Sequence, residues 1–211
     1  MKRKASQIYT TLFFCTAVFV LISSCSKEPI HERPVDPPDD TTKTISFQQG
    51  VFVINEGNYN WGNASVTFLD TRNNSVFQDV FNLVNQRSLG DVAESMCISG
   101  KNGYIVINNS NRIEVVSMTD FKSVKTISGL HSPRFMTVVS PQKAYVTNLQ
   151  NSISVIDLNT NNVTGTIKTS AWTENMIQYK QYVLVTSVGQ FSEPSSGRQA
   201  QIFVVDSKRD E

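Results

Sequence analysis

The chain has 211 residues, with 19 lysines and arginines against 18 aspartates and glutamates, so its formal net charge at neutral pH is +1. This near-neutral balance argues against nucleic acid as a partner, because phosphate recognition needs a basic surface. The hydrophobic fraction of 39% is normal for a folded soluble protein.

The N-terminal segment has the pattern of a bacterial lipoprotein signal peptide. Residues 2–4 are basic, and residues 12–22 form an apolar run that is too short to span a membrane. The run ends in Ile-Ser-Ser-Cys at residues 22–25, which resembles the lipobox, where a cysteine is acylated and becomes the new N-terminus. We therefore predict that residues 1–24 are removed and that a lipidated Cys25 anchors the protein in the outer membrane. The alternative is an ordinary signal peptide.

Residues 25–46 are predicted to be a polar, extended tether. This stretch contains four prolines and several acidic residues, a composition that favours an extended linker. A charged segment directly after a lipidated cysteine resembles the surface-export signals of Bacteroidetes lipoproteins. The resemblance implies that the protein faces the cell exterior.

A unit of about 40 residues recurs over residues 47–211, which we predict to form an all-β domain. The step from Asn108 to Asn148 is 40 residues, and the step from Asn148 to Ser187 is 39. A period of this size, filled with short β-branched runs, is typical of a β-propeller blade.

Each unit is predicted to contain up to four strands, named a to d from the ring axis outward, because short alternating runs are separated by turn residues. The first unit lacks strand a, and the fourth lacks strand d. The predicted strands are residues 51–55, 65–70 and 76–81, then 94–99, 104–108, 112–117 and 123–127, then 135–140, 143–148, 152–158 and 163–167, and finally 175–179, 182–187 and 201–206.

These strands account for three to four blades, whereas propellers usually have four to eight. We therefore expect a truncated chain whose complete protein has about seven blades. Strands beyond residue 211 would then complete the first blade.

One face of the disc is predicted to carry the binding residues. The b–c loops and the loops from strand d to the next strand a open on the same face of a propeller. In this chain they are the longer loops, and they carry aromatic and charged side chains. Functional residues concentrate on loops that a rigid scaffold holds in place. The predicted ligand-binding residues are Asn58, Tyr59, Trp61, Asp91, Arg134, Trp172, Glu174 and Asn175.

The aromatic members of this set are suited to stacking on a planar ligand, and the polar members to hydrogen bonding with its amides or phosphate. The alternative is that the aromatic side chains only pack their loops against the disc.

The sequence shows little that is typical of an enzyme. After the signal peptide it contains two histidines, His31 and His131, and no cluster with metal-ligand spacing. It has no nucleophile elbow, Walker loop or dinucleotide fingerprint. We predict a binding protein without catalytic residues, metal or cofactor. Cys97, alone in an apolar strand, is predicted to be a small buried side chain.

Two resemblances refine this prediction. Ala-Tyr-Val-Thr-Asn at residues 144–148, with the run that continues to Ile167, resembles the YVTN repeat of YncE-like surface propellers. Residues 50–59, 63–65 and 89–92 resemble a group of Bacteroidetes surface lipoproteins. Some members of that group bind cobalamin and sit over the outer-membrane vitamin B12 transporter.

The second resemblance implies a lipoprotein that captures a solute and delivers it to an outer-membrane TonB-dependent transporter. Cobalamin or another corrinoid is the first candidate for the solute. Two alternatives stay open. One is a structural or protein-interaction propeller without a small ligand, and the other is a relative of the quinoprotein oxidoreductases.

Overall fold

The computed structural model describes residues 45–188 and 200–211, which form fourteen strands and one short helix. The predicted signal peptide, Cys25 and the tether up to residue 44 lie outside the described residues. Within the described residues, no helix has the length and apolar character that crossing a membrane requires.

The strands form four antiparallel sheets in chain order, here called blades 1 to 4. Blade 1 contains β1 (Gly50–Asn55), β2 (Ser65–Asp70) and β3 (Ser75–Phe77), followed by helix α1 (Val80–Asn85). Blade 2 contains β4 (Ala93–Ser99), β5 (Asn102–Ile107), β6 (Arg112–Ser117) and β7 (Ser123–Ile127). Blade 3 contains β8 (Pro133–Ser140), β9 (Lys143–Asn148), β10 (Ser152–Asp157) and β11 (Asn162–Lys168). Blade 4 contains β12 (Trp172–Tyr179), β13 (Tyr182–Val188) and β14 (Gln201–Asp206).

The predicted all-β architecture of repeated sheets is confirmed. Within each sheet, each strand pairs with the next one along the chain, so every sheet is a simple meander. The first strands of blades 2, 3 and 4 contact one another in sequence, and β1 contacts β4. These strands therefore form the inner side of the stack.

The predicted strand over residues 76–81 is wrong in its second half. β3 ends at Phe77, and α1 begins at Val80. Val80 and Phe81 are both fully buried, which fits one side of a helix and not the alternation of a strand. Asp79 caps the helix by accepting a hydrogen bond from the Asn82 amide at 3.4 Å.

The strand registers refine the repeat. The last pair between strands b and c is Ile107 with Arg112 in blade 2 and Asn148 with Ser152 in blade 3. Asn148 is thus equivalent to Ile107, and Asn108 lies one residue beyond strand b. The spacing of the asparagines therefore identified the repeat, but Asn108 lies one residue past the position that is equivalent to Asn148.

Apolar cores lie between adjacent blades. Blades 1 and 2 share an aromatic core, in which the rings of Phe52 and Phe121 stack with centroids 5.1 Å apart and planes 10° apart. The cores between blades 2 and 3 and between blades 3 and 4 are mainly aliphatic, with Tyr104 in the first and Tyr145 in the second. We call these cores between blades the seams. Cys97 packs partly buried against the middle core, and this burial raises the pKa of its thiol.

One contact recurs at all three seams, between the third residue of strand b and the turn after strand c of the following blade. Phe52 meets Phe121, the Tyr104 hydroxyl donates to Asn161 Oδ1 at 3.0 Å, and the Tyr145 hydroxyl donates to Asp210. The three turn residues share a left-handed backbone. They are Phe121, Asn161 and Asp210, with φ of 59°, 53° and 60°.

A buried carboxylate lies in the seam between blades 1 and 2. Glu114 on β6 is fully buried, and its Oε1 accepts a hydrogen bond from Arg87 at 2.5 Å and another from Ser123. Its Oε2 accepts from Thr126 at 3.2 Å. Arg87 follows α1, so this ion pair fastens the loop of blade 1 to the sheet of blade 2.

We expect Arg87→Met to lower the free energy of unfolding by about 3 kcal/mol, because it leaves the buried Glu114 carboxylate with only the more distant cation of Arg112, whose Nε lies 3.9 Å from Glu114 Oε2. Urea denaturation followed by tryptophan fluorescence measures the change. Lys122→Met is the matched control, since Lys122 pairs with Asp120 on the surface at 3.7 Å and should cost ~0–1 kcal/mol. Equal losses in the two variants would contradict this account of the Glu114 pair.

We expect Tyr145→Phe to destabilise the protein more than Tyr104→Phe, by ~2 against ~1 kcal/mol, because a hydrogen bond to a carboxylate is stronger than one to an amide. Both rings are fully buried at equivalent positions, so each variant is the other's control. The same urea titration decides, and a larger loss for Tyr104→Phe would show that acceptor charge is not the cause.

Candidate ligand-binding face

Three inner strands carry a bulge at the same place. The pairing register shifts between Ala93 and Ser95 in β4, between Pro133 and Met136 in β8, and between Thr173 and Met176 in β12. A bulge re-aims the side chains next to it and interrupts strict alternation. This explains why β4, β8 and β12 begin earlier than their predicted starts at residues 94, 135 and 175.

Each bulge presents one charged side chain, and the three interact. Arg134 Nη1 lies 2.5 Å from Glu94 Oε2, and Arg134 Nε lies 2.9 Å from Glu174 Oε2. The Ser95 hydroxyl also donates to the Arg134 carbonyl at 2.7 Å. We call Glu94, Arg134 and Glu174 the inner row. Blades 2, 3 and 4 each supply one member of it, spaced 40 residues apart in the sequence.

The inner row lies in a negative environment. Burial raises the pKa of Glu94, Arg134 opposes this effect, and the carboxylates of Glu56 and Glu174 add to it. Two carboxylates therefore flank one guanidinium, and the charge of Glu56 acts on Glu94 from nearby. Such an arrangement suits hydrogen-bond donors, such as amide or amine N–H groups, better than phosphate.

Asp91 makes hydrogen bonds to other residues of the protein. Its Oδ2 accepts hydrogen bonds from the Asn60 amide at 2.9 Å and from Asn109 Nδ2 at 2.6 Å. Its own amide donates to Ser110 Oγ at 2.9 Å. Asp91 thus joins the b–c loops of blades 1 and 2. Its Oδ1 is buried without a hydrogen-bond partner among the described residues.

The aromatic residues of the first b–c loop point into solvent. Trp61 is 75% exposed and Tyr59 is 69% exposed. The loop is nevertheless held in place, because the Trp61 amide donates to the Asn58 carbonyl at 3.0 Å and the Asn58 amide donates to Asn63 Oδ1 at 2.8 Å. These two rings therefore do not pack the loop against the sheet, and they remain available for stacking.

A polar cavity of about 510 Å³ adjoins this loop. Amide and hydroxyl side chains line most of it, and Asp79 supplies its carboxylate. The polar lining residues are Asn55, Asn63, Ser65, Thr67, Gln78, Asp79, Asn82 and Ser88.

The predicted site residues thus fall into separate groups. Asn58, Tyr59, Trp61 and Asp91 belong to the joined loops of blades 1 and 2, whereas Arg134 and Glu174 belong to the inner row. Trp172 is half-buried and lines a second cavity of about 440 Å³ with Ser132 and Leu149. The side chain of Asn175, next to Glu174, is exposed.

Sequence reasoning missed Glu94, although its spacing of 40 residues from Arg134 was a usable signal. It also missed Asn60 and Asn109, which hold Asp91. Across residues 45–188 and 200–211, no three or more His, Cys, Asp or Glu side chains are placed to hold a metal ion.

Several solved structures are similar to this fold. Hydrazine synthase from Kuenenia stuttgartiensis matches with a TM-score of 0.58 and 19% identity over 69% of this chain and 41% of that one. A quinoprotein alcohol dehydrogenase-like protein from Bacteroides thetaiotaomicron matches with a TM-score of 0.53 and 19% identity over 77% of this chain and 42% of that one. The dihydro-heme d1 dehydrogenase NirN matches with a TM-score of 0.50 and 12% identity over 75% of this chain and 36% of that one.

At these identities the likeness shows the fold alone, which is that of β-propeller-type proteins. The chain spans about two fifths of the length of these structures. No curated protein sequence is significantly similar to it. Residues 49–211 match a domain of unknown function, DUF5074, and the chain therefore belongs to the DUF5074 family.

Proposed function

We propose that this protein is a cell-surface binding protein that captures a solute on its loop face, with cobalamin or another corrinoid as the first candidate. The observation that carries the proposal is the first b–c loop. Hydrogen bonds fix its backbone, yet Tyr59 and Trp61 stay in solvent. Large exposed aromatic side chains on an ordered loop are typical of a binding surface.

The polar groups near these rings suit an amide-bearing ligand. The 510 Å³ cavity offers amide and hydroxyl groups that both donate and accept hydrogen bonds. A corrinoid combines a broad, partly flat ring with many amides, so ring stacking supplies contact area and the polar groups supply orientation.

The inner row would contribute a second set of acceptors toward the disc axis. Glu94 and Glu174 each keep one carboxylate oxygen that makes no ion pair with Arg134. Amide N–H groups of the ligand would donate to those oxygens. Arg134 would act mainly by holding both carboxylates in position, and it would not itself contact the ligand.

Binding without catalysis is part of the proposal. A quinoprotein-like oxidoreductase is the second candidate. Its support is the similar structure from Bacteroides thetaiotaomicron, which is described as a quinoprotein alcohol dehydrogenase-like protein. A protein-interaction propeller without a small ligand is the third.

The proposal includes a location and a partner. Cys25 would carry the lipid anchor in the outer membrane, the domain would face the exterior, and a TonB-dependent transporter would receive the solute. The support for these points is the lipobox-like sequence at residues 22–25 and the resemblance to Bacteroidetes surface lipoproteins.

We expect isothermal titration calorimetry to detect cyanocobalamin binding, and Trp61→Ala to weaken it ~30-fold, the effect of losing an aromatic anchor worth ~2 kcal/mol. Val124→Ala is the control, because Val124 is an exposed apolar residue on the outermost strand of blade 2. Absence of heat and of co-elution at micromolar concentrations would exclude the corrinoid and leave the two other candidate functions.

We expect metabolic labelling with a clickable fatty acid to tag the wild-type protein and not Cys25→Ala, because only the Cys25 thiol lies at the acylation site. Cys97→Ala is the matched control and should be tagged like wild type. Equal labelling of Cys25→Ala would show that the lipobox interpretation is wrong.

A further inference from the structure

A basic cavity lies on the side of the stack opposite the b–c loops. We call this side the turn face, because the turns between strands a and b and between strands c and d open there. The cavity has a volume of about 500 Å³ and lies at the seam between blades 3 and 4. Lys143 at the start of β9, Lys180 in the turn after β12 and Lys208 in the turn after β14 line it. The other lining residues carry no charge, and they are Val139, Ser140, Gln178, Gln181 and Ser207.

Hydrogen bonds within and between blades 3 and 4 hold the wall of this cavity. Gln178 Nε2 of blade 4 donates to the Val139 carbonyl of blade 3 at 3.1 Å. In the opposite direction, the Lys143 ammonium of blade 3 donates to the Ser207 carbonyl of blade 4 at 2.7 Å. The Ser207 amide and hydroxyl both donate to the Gln181 carbonyl, each at 2.8 Å. The protein therefore builds the cavity wall with its own contacts.

Two of the three ammonium groups have no anionic partner. Lys143 Nζ lies 2.7 Å from Asp210 Oδ1, so its charge is paired. The segment that carries Lys208 has two further acidic side chains, and both of them pair with Arg209. Within residues 45–188 and 200–211, Lys180 and Lys208 form no ion pair. The cavity therefore keeps two positive charges that the protein does not neutralise.

The repeat shows that the fold does not require these lysines. The strand registers define the positions equivalent to Lys143, Lys180 and Lys208 at the other two seams. Between blades 2 and 3 these positions hold Asn102, Pro141 and Asn159. Between blades 1 and 2 they hold Gly50, Gly100 and Thr119. The same turn arrangement thus forms without any lysine at these positions, so the positive charge of this seam is free to serve binding.

We propose that this cavity is a binding site for a phosphate monoester group. Such a group carries a charge of about −1.5 to −2 at neutral pH, which balances two ammonium groups, and it has three strong acceptor oxygens. Lysine binds phosphate as a point charge, and amide and hydroxyl donors line the cavity beside the lysines. The volume of the cavity leaves room for part of the molecule to which the phosphate is attached.

Two sources share this chemistry, a soluble phosphate ester and the headgroup of a lipid. The chain enters the domain at the turn face, because the Phe47 ring packs on Phe121 in the turn after β6, with centroids 5.1 Å apart. A lipid would therefore be within reach if Cys25 is anchored in the membrane. Only this lipid source rests on the proposed function, whereas the site itself does not.

Isothermal titration calorimetry of the full chain tests the proposal with two probes. Glycerol 3-phosphate represents the soluble source, and short-chain dihexanoyl phosphatidic acid represents the lipid source. Dihexanoyl phosphatidylcholine is the control ligand, because its phosphodiester headgroup has no net charge. We expect at least one of the two probes to bind at concentrations up to the millimolar range, more weakly as salt rises, and the control ligand not to bind. The probe that binds more tightly identifies the source.

Two variants locate the binding. Lys180→Gln and Lys208→Gln should each weaken it ~10-fold, the effect of losing one charged hydrogen bond. Lys101→Gln is the matched control and should bind as wild type, since Lys101 is an exposed lysine in a turn of blade 2 on the same face, outside the cavity. Lys143 is left unchanged because it also holds the Ser207 carbonyl. Far-ultraviolet circular dichroism confirms that each variant is folded.

Three results would overturn the proposal. They are the absence of heat with both probes, wild-type affinity in both cavity variants, and a loss in Lys101→Gln as large as the loss in those variants. Cyanocobalamin binding on the b–c loops should be the same in Lys180→Gln and in wild type, because the cavity lies on the other side of the stack. The failure of this site and the failure of the proposed solute site are therefore separate results.

Discussion

The fold depends on burying both faces of each sheet against neighbouring sheets. One sheet of three or four short strands cannot form a core alone, so each blade is stabilised by its neighbours, as in other repeat architectures. The recurring contact between strand b and the turn of the next blade joins each pair of neighbouring blades. Strand b contributes an aromatic ring to this contact. The turn contributes a residue with a left-handed backbone, which is Phe121, Asn161 or Asp210. The shape of the seam is kept while its chemistry changes from ring stacking to hydrogen bonding.

This packing determines where the polar side chains can go. Inner strands approach one another near the axis, and the bulges there turn Glu94, Arg134 and Glu174 toward each other. The loops above the strands are joined in turn by Asp91, which accepts from residues of two different blades. The b–c loops of blades 1 and 2 are therefore fixed relative to each other, and the exposed rings of Tyr59 and Trp61 are carried on an ordered loop.

The sequence predicted the bounds of β2, β6, β9 and β14 correctly, where short β-branched runs lie between clear turns. It failed where local contacts override alternation. The bulges hid the starts of β4, β8 and β12, and α1 resembled a strand because Val80 and Phe81 are apolar neighbours. Of the candidate site, the exposed loop aromatics could be read from composition and loop length. The inner row could not be read in full, because a glutamate next to a strand is unremarkable until its partners are known. The sequence places Asp91 among the ligand residues because it lies on a loop of the predicted binding face. Its hydrogen bonds to Asn60 and Asn109 cross blades and cannot be predicted from the sequence.

The Glu114 carboxylate restricts which of the similar sheets can pack against blade 2. Ser154 and Phe203 occupy the equivalent position in blades 3 and 4, so only blade 2 carries a charge there. A mispaired stack that set blade 2 against a sheet without Arg87 would leave that buried charge with only the distant Arg112 Nε, 3.9 Å away, at a cost of several kcal/mol. The apolar faces of the blades are nearly interchangeable. The ion pair between Arg87 and Glu114 therefore distinguishes the first seam from the others during assembly.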